Sequence, residues 1–251
     1  MLTLGDQRTE QDDDKARVNQ QFLTGTRGNQ VQLKYLRINA FMQLKRPFSE
    51  WSRRRRTEIM LNELKITEGM SILDLGGTPG FWAQERIPPL NLTILNLPGH
   101  VHKNSNLRHA VRYMMGDACN VAELADGSFD VVFSNSVIEH VGDNARQAAF
   151  AKEVRRIGRS YWVQTPSIWF PIEAHTGMPF WWFYPAPVQR AIKRGWRVKL
   201  PAWTEMIDGT TVLTKSELEC MFPDSRIIVE RVCGVPKSYV AVKRRPDALR
   251  N

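Results

Sequence analysis

Three groups of residues in this chain have types and spacing fit for chemistry. The first begins at the turn Asp74-Leu75-Gly76-Gly77-Thr78-Pro79-Gly80, whose glycines remove side chains where a ligand must approach the backbone. Asn96 follows about twenty residues on, where a polar side chain meets a ribose in nucleotide-binding sheets. Asp117, in Met115-Gly116-Asp117-Ala118, is a carboxylate able to accept a hydrogen bond from an adenine amino group. Together they describe an adenosine site, and with no G-x-x-x-x-G-K-[ST] in the chain it is a site without a phosphate cradle. The second group is His140, and the third is His175 with Glu173 just before it. An imidazole with an ordinary pKa of about 6.5 suits removal of a hydroxyl proton, and Glu173 is placed to orient or assist His175. Each histidine also has a structural reading, His140 as a helix cap or packing group under a cofactor and His175 as a tie between its segment and the sheet. His100 and His102 form H-x-H with no third ligand in view, so no metal site is expected.

These groups need a scaffold, and from Gly69 onward short apolar runs alternate with polar or helical segments. Residues 71–75, 92–95, 111–115, 129–134, 161–164, 226–232 and 238–242 read as strands, the early ones apolar on both faces as in a covered parallel sheet. Helices are clearest at 144–157 and at 215–221, the latter opened by the capping-box pattern Thr214-Lys215-Ser216-Glu217. The pattern predicts a doubly wound α/β sheet. The last two strands, joined by Gly234-Val235-Pro236-Lys237, are too close for a helical crossover and should be antiparallel.

A chain of 251 residues, 42% apolar, can bury one full core, so one catalytic domain with attachments is expected. Residues 1–48 read as a polar amino-terminal arm and a helix, residues 49–251 as the domain, and 166–203 as a substrate lid inserted after the fifth strand. The run Arg53-Arg54-Arg55-Arg56 reads either as a solvated helix face or as a contact for phosphate or anionic lipid. The three cysteines are odd in number and lack C-x-x-C spacing, which argues against a disulfide framework or structural zinc. The start turns polar before any apolar run could serve as a signal, and no apolar segment reaches the ~20 residues of a membrane span, so a cytoplasmic protein is expected. A net charge of +9 favours polyanionic or anionic-surface partners without choosing a reaction.

Residues 69–165, with the antiparallel end, resemble a class I S-adenosylmethionine-dependent methyltransferase. The resemblance implies a Rossmann-like seven-stranded sheet with an antiparallel last strand, helices on both faces and an aromatic-rich insertion after strand 5. It implies S-adenosylmethionine as cofactor, with Asp74 near the amino group of its methionine portion and the Gly76, Gly77, Thr78 and Gly80 loop beneath it. It places Asn96 and Leu97 at the ribose, Asp117 and Ala118 at the adenine, and Ser134 and Asn135 at the fourth strand end. Two residues depart from the family pattern: Thr78 replaces the middle glycine of D-x-G-x-G-x-G, and Asn96 replaces an acid.

For the acceptor, the stretch from Phe129 to Val141 resembles the small-molecule branch that includes ubiquinone and menaquinone methyltransferases, without the [DN]-P-P-[YF] of nucleobase and glutamine enzymes. The loop itself, D-L-G-x-x-P-G-x-[FW]-x-Q, also resembles that of RNA ribose 2′-O-methyltransferases of the cell-division-heat-shock type. Their Lys-Asp-Lys-Glu tetrad has no counterpart, since Ser134-Asn135 and Thr165-Pro166 stand at those strand ends. After the fifth strand, residues 165–185 concentrate aromatics, followed by Arg190, Lys193, Arg194, Arg197 and Lys199. Such a segment can line an apolar pocket, pack as a second small core, or, over residues 180–199, meet an anionic membrane surface. Its F-P-I-E-x-H-T wording resembles a group of bacterial methyltransferases of unassigned or cell-surface glycoconjugate context. The resulting expectation is O-methylation of a small, lipid-linked or sugar-linked acceptor by in-line transfer with a histidine base. An RNA 2′-O-methyltransferase and a non-catalytic cofactor-binding subunit are the alternatives, nucleic acid being the less favoured partner.

Overall fold

The computed structural model describes residues 52–99, 107–173 and 176–245. The chain divides into two compact units, Met1–Thr57 and Glu58–Asn251. In the first, residues 52–57 are helical and Arg53, Arg54 and Arg55 are exposed, while the expected 48/49 boundary lies outside the described residues.

In the second unit the alternation of strand and helix closes one seven-stranded sheet of order β3-β2-β1-β4-β5-β7-β6. The strands are β1 (Ser71–Leu75), β2 (Asn91–Asn96), β3 (Ala110–Met115), β4 (Phe129–Asn135), β5 (Gly158–Pro166), β6 (Arg226–Val232) and β7 (Val235–Lys243). β1 to β5 pair in parallel, and β7 runs antiparallel between β5 and β6. This is the Rossmann-like sheet with an antiparallel last strand that the sequence predicts. Successive residues of the central strands face opposite sides, so Leu73, Val132 and Tyr161 enter one core while Ile72, Val131 and Trp162 enter the other. Both faces are therefore apolar, which explains the continuous apolar runs.

Besides the helical residues 58–64, this unit has the helices α1 (Pro79–Trp82), α2 (Asn144–Ile157), α3 (Ala186–Lys199), α4 (Pro201–Asp208) and α5 (Lys215–Met221). Asp143 caps α2 by accepting from the Arg146 amide, and Phe150, Ala151, Val154 and Ile157 lay one helix face into the core. Thr214 and Glu217 form the capping box of α5 in both directions. The sequence places the β6–β7 connection at Gly234 to Lys237, but the turn is only Cys233-Gly234, with φ of 49° and 81°. Those angles suit a two-residue hairpin turn, and Pro236 enters β7 beside a register shift at Glu230/Arg231, where its missing N–H costs no ladder bond. Helices α3 and α4 follow β5, and the expected lid boundary at 203 falls inside α4. Among the described residues no helix is long and apolar enough to cross a membrane.

Candidate functional site

The carboxyl ends of β1 to β4 share one edge of the sheet, with Leu75 beside Leu95, Asn96 beside Met115 and Asp74 beside Phe133. The chain leaves β1 through Gly76 at φ 73°, a left-handed turn open to glycine. A Cβ there would lie 2.8 Å from both methyl carbons of Val137. At Gly77 a Cβ would fall 1.7 Å from Asp74 Oδ2, so this glycine makes room for the protein's own carboxylate. Gly80 is different: a Cβ would meet nothing within 4 Å. Pro79 then starts α1 with its φ already helical.

Asp74 is fully buried; Trp82 Nε1 donates to its Oδ2 at 2.7 Å, and Oδ1 has no hydrogen-bond partner among the described residues. Burial pushes the carboxyl up to about 7, against the opposing pull of the Trp82 donor. Trp82 is itself fixed, edge-on to Phe133 with centroids 5.1 Å apart and with its carbonyl 2.8 Å from His109 Nε2. Asn96 Nδ2 donates to the Gly77 carbonyl at 2.9 Å and so clasps the loop to the end of β2. That contact gives the departure from an acid a physical reason, because a carboxylate would set an acceptor against an acceptor.

Asp117 receives Arg146 on both oxygens, at 2.9 and 3.0 Å, and the Cys119 amide at 2.9 Å. Partial burial alone would raise this carboxyl, but the Cys119 N–H and the Arg146 guanidinium outweigh it and hold the group below its ordinary value. Arg146, which the sequence reading did not single out, reaches Asp117 because the cap at Asp143 starts α2 beside the end of β3. A pocket of ≈ 210 Å³ opens here, and its walls include Gly76, Asn96, Leu97, Asp117, Ala118 and His140. Arg146 closes one side. The other predicted cofactor residues, Asp74, Gly77, Thr78, Gly80, Ser134 and Asn135, do not line it. Ser134 is buried, with its hydroxyl 3.4 Å from the Leu75 carbonyl, and Asn135 stands opposite Gln164 at the end of the β4–β5 ladder.

His140 ends a 3₁₀ turn, Ile138–His140. Its Nδ1 lies 3.2 Å from Thr210 Oγ1, and that hydroxyl donates its one proton to the Met206 carbonyl at 2.8 Å. The direction of this bond follows the imidazole tautomer: in the form with the ring proton on Nδ1, Thr210 accepts it and the lone pair stands on Nε2. His140 also borders a second cleft, of ≈ 300 Å³, with Glu205, Met206 and Gly209 at and just after α4. Glu139, a further residue that sequence reasoning passed over, is fully buried; its Oε2 accepts from Thr165 Oγ1 at 3.0 Å and its carbonyl from the Thr211 amide at 2.7 Å. It ties the His140 turn to β5 and to the segment following α4. Glu173 is buried, with Oε2 accepting from the Thr176 amide, so it holds its own turn. His175, like His100 and His102, lies outside the described residues.

Residues 89–160, from the start of β2 into β5, match a family model described as a methyltransferase domain. No curated protein matches the chain. A SAM-dependent methyltransferase from Aquifex aeolicus is 15% identical, with 74% of this chain and 87% of that one covered and a TM-score of 0.43. An O-methyltransferase family protein from Burkholderia thailandensis is 14% identical over 90% of this chain and 62% of that one, with a TM-score of 0.48. Phosphoethanolamine N-methyltransferase 2 of Haemonchus contortus, solved with phosphomonomethylethanolamine and S-adenosylhomocysteine, is 14% identical over 76% and 52%, with a TM-score of 0.49. These likenesses concern the fold. The strand order and the antiparallel β7 give this chain a Rossmann-like fold of the kind found in class I methyltransferases, whose methyl donor is S-adenosylmethionine, and the family match covers residues 89–160 of it.

The residues present fit such a donor on two counts. The buried Asp74 Oδ1 has no hydrogen-bond partner among the described residues, and the pocket joins the ends of β1, β2 and β3, with Asn96 at the end of β2 and Asp117 just after β3.

Proposed function

We propose that the chain is an S-adenosylmethionine-dependent O-methyltransferase acting on a hydroxyl of a small, lipid-linked or sugar-linked acceptor. Asp74, the Gly76 to Gly80 loop, Asn96 and Asp117 would hold the donor, which supplies when bound a methyl group already activated on a sulfonium. The observation that carries the acceptor half is the place of His140, which borders both the pocket at the strand ends and the cleft under α4. In the tautomer with its proton on Nδ1, facing Thr210, the ring would use Nε2 as the base that takes the hydroxyl proton, with Thr210 stabilising the imidazolium that results. Glu139 positions that turn, while Glu205 and Met206 form the acceptor side of the cleft. Ser134 facing the Leu75 carbonyl and Thr165 facing Glu139 leave the RNA-type tetrad without its acid and lysine, which supports a smaller acceptor.

Two outcomes are expected. Asp117→Ala leaves Arg146 without its carboxylate in the pocket and should weaken S-adenosylhomocysteine binding about tenfold or more, read by calorimetry. His140→Ala should lower kcat by about a hundredfold or more, with a far smaller effect on donor affinity. The assay follows methyl-labelled donor into a panel of hydroxylated lipids and saccharides. Wild-type turnover in His140→Ala would reject the base, and donor binding with no transfer to any acceptor would favour the non-catalytic subunit.

A further inference from the structure

Helix α3 has two unlike faces. On one, Gln189 donates to the carbonyls of Trp181 and Tyr184, each at 3.1 Å, and Lys193 reaches Asp208 at 2.8 Å. Trp196 on the same face stacks on Trp181, centroids 5.2 Å apart, and meets Trp203 edge-on at 4.8 Å. The opposite face carries Val188, Ala191, Gly195 and Val198 at positions i, i+3, i+7 and i+10, one stripe of the helix. No residue of α3 is buried, and Val198 is 84% exposed. Exposed apolar groups bracket the stripe at both ends, Phe183 before it and Leu200 after it, and Trp169, also exposed, packs against Phe183 at 5.5 Å.

The cations of α3 divide the same way. Lys193 and Arg197 are bound to Asp208, whereas Arg190, Arg194 and Lys199 are exposed and form no ion pair among the described residues. An apolar stripe with unpaired arginines along its border and aromatics at its end has the composition of a helix lying in a membrane interface. A two-fold contact between copies of the chain would set Arg190 and Arg194 against their own kind, while anionic lipid complements them. The charge of +9 over the whole chain acts in the same sense.

We propose that α3 docks on an anionic bilayer surface, its Val188 to Val198 stripe entering the headgroup region and Arg190, Arg194 and Lys199 meeting lipid phosphates. Only Leu200 separates α3 from α4, whose Glu205 and Met206 border the His140 cleft, so the docked helix presents that cleft to lipid-linked acceptors. This last step rests on the proposed function; the docking itself does not.

Vesicle co-sedimentation of the full chain tests it, using phosphatidylcholine alone and an equimolar mixture with phosphatidylglycerol. The wild type should sediment with the mixed vesicles only, and less as salt rises. Val198→Asp and Arg190→Glu/Arg194→Glu should each lose about tenfold or more of the vesicle-bound fraction, while the charge-matched change Arg112→Glu/Lys152→Glu keeps it. All variants should bind S-adenosylhomocysteine like the wild type, which reports an intact fold. No sedimentation of the wild type, or equal sedimentation of all variants, overturns the docking. So does a concentration-dependent dimer that Val198→Asp abolishes. Vesicle binding with no methyl transfer would leave the docking standing and remove only the proposed acceptor.

Discussion

Gly77→Ala is expected to be among the most damaging single changes in the domain, costing about 3 kcal/mol or more of stability. The added methyl would stand 1.7 Å from Asp74 Oδ2, 2.1 Å from its Cγ and 2.3 Å from Oδ1, a collision with the whole carboxyl group. Asp74 cannot yield cheaply, because it is fully buried on a central strand and tied to Trp82, which in turn packs on Phe133. Either the carboxylate leaves its place and the Trp82 bond breaks, or the backbone of the turn moves and the Asn96 clasp on the Gly77 carbonyl opens. Gly80→Ala, three residues along, meets open space without a positive φ and should leave stability within about 1 kcal/mol of the wild type. Urea midpoints of the two variants check the contrast, and a wild-type midpoint for Gly77→Ala would refute this account of the turn. S-adenosylhomocysteine calorimetry on Gly80→Ala adds a separate reading: weaker binding at unchanged stability would mean that Gly80 leaves room for the ligand.

That contrast marks where the sequence was legible and where it was not. The sheet could be read because burial on both faces writes itself as mainly apolar runs in β1, β2 and β4, and because α2 announces its cap and its apolar stripe. The Gly-rich turn and the polar strand ends were equally plain. What each polar group does was not, since that depends on partners distant in the chain. Gly77 reads as a gap for a ligand until its nearest atoms prove to belong to Asp74. Asn96 reads as a ribose partner, and only the fold shows that its amide also clasps the Gly77 carbonyl. Glu139 looks like an ordinary charged loop residue, and only Thr165 and Thr211, contributed by segments far along the chain, show why it is buried. Helix α3 escaped because it carries Pro187 in its first turn and Gly195 in its interior and none of its residues is buried, so the apolar signal of a core-facing helix is missing.

Asp74→Asn should reverse the usual sense of a core substitution and make the ligand-free protein more stable at neutral pH than the wild type. Burial raises the Asp74 carboxyl from 3.8 to about 7, so the folded state favours the protonated form. The stability associated with that preference is fully present below the unfolded pKa and is lost as pH rises toward 7, a decline of up to about 4 kcal/mol across the interval. The carboxyls of Glu63, Asp117, Asp130, Glu153, Asp208 and Asp224 are held low, so their contribution is complete above the ordinary carboxylate range and fades only in acid. Between pH 5 and pH 8, as an order-of-magnitude window, the decline from Asp74 should therefore stand apart from theirs. The wild-type urea midpoint should fall across that window, and the Asp74→Asn midpoint should fall much less; parallel curves would show that Asp74 does not titrate there. The proposed role toward the donor has the opposite sign. A cationic methionine portion beside the carboxylate favours the ionised form, so wild-type affinity for S-adenosylmethionine should rise with pH through about 7. The amide of the Asp74→Asn variant has no charge to gain, and its affinity should be lower and nearly flat with pH. A variant more stable without ligand and poorer at binding it would mean that the cost of burying Asp74 is kept for the cofactor, whereas equal affinity at pH 8 would show that this carboxylate serves the loop alone.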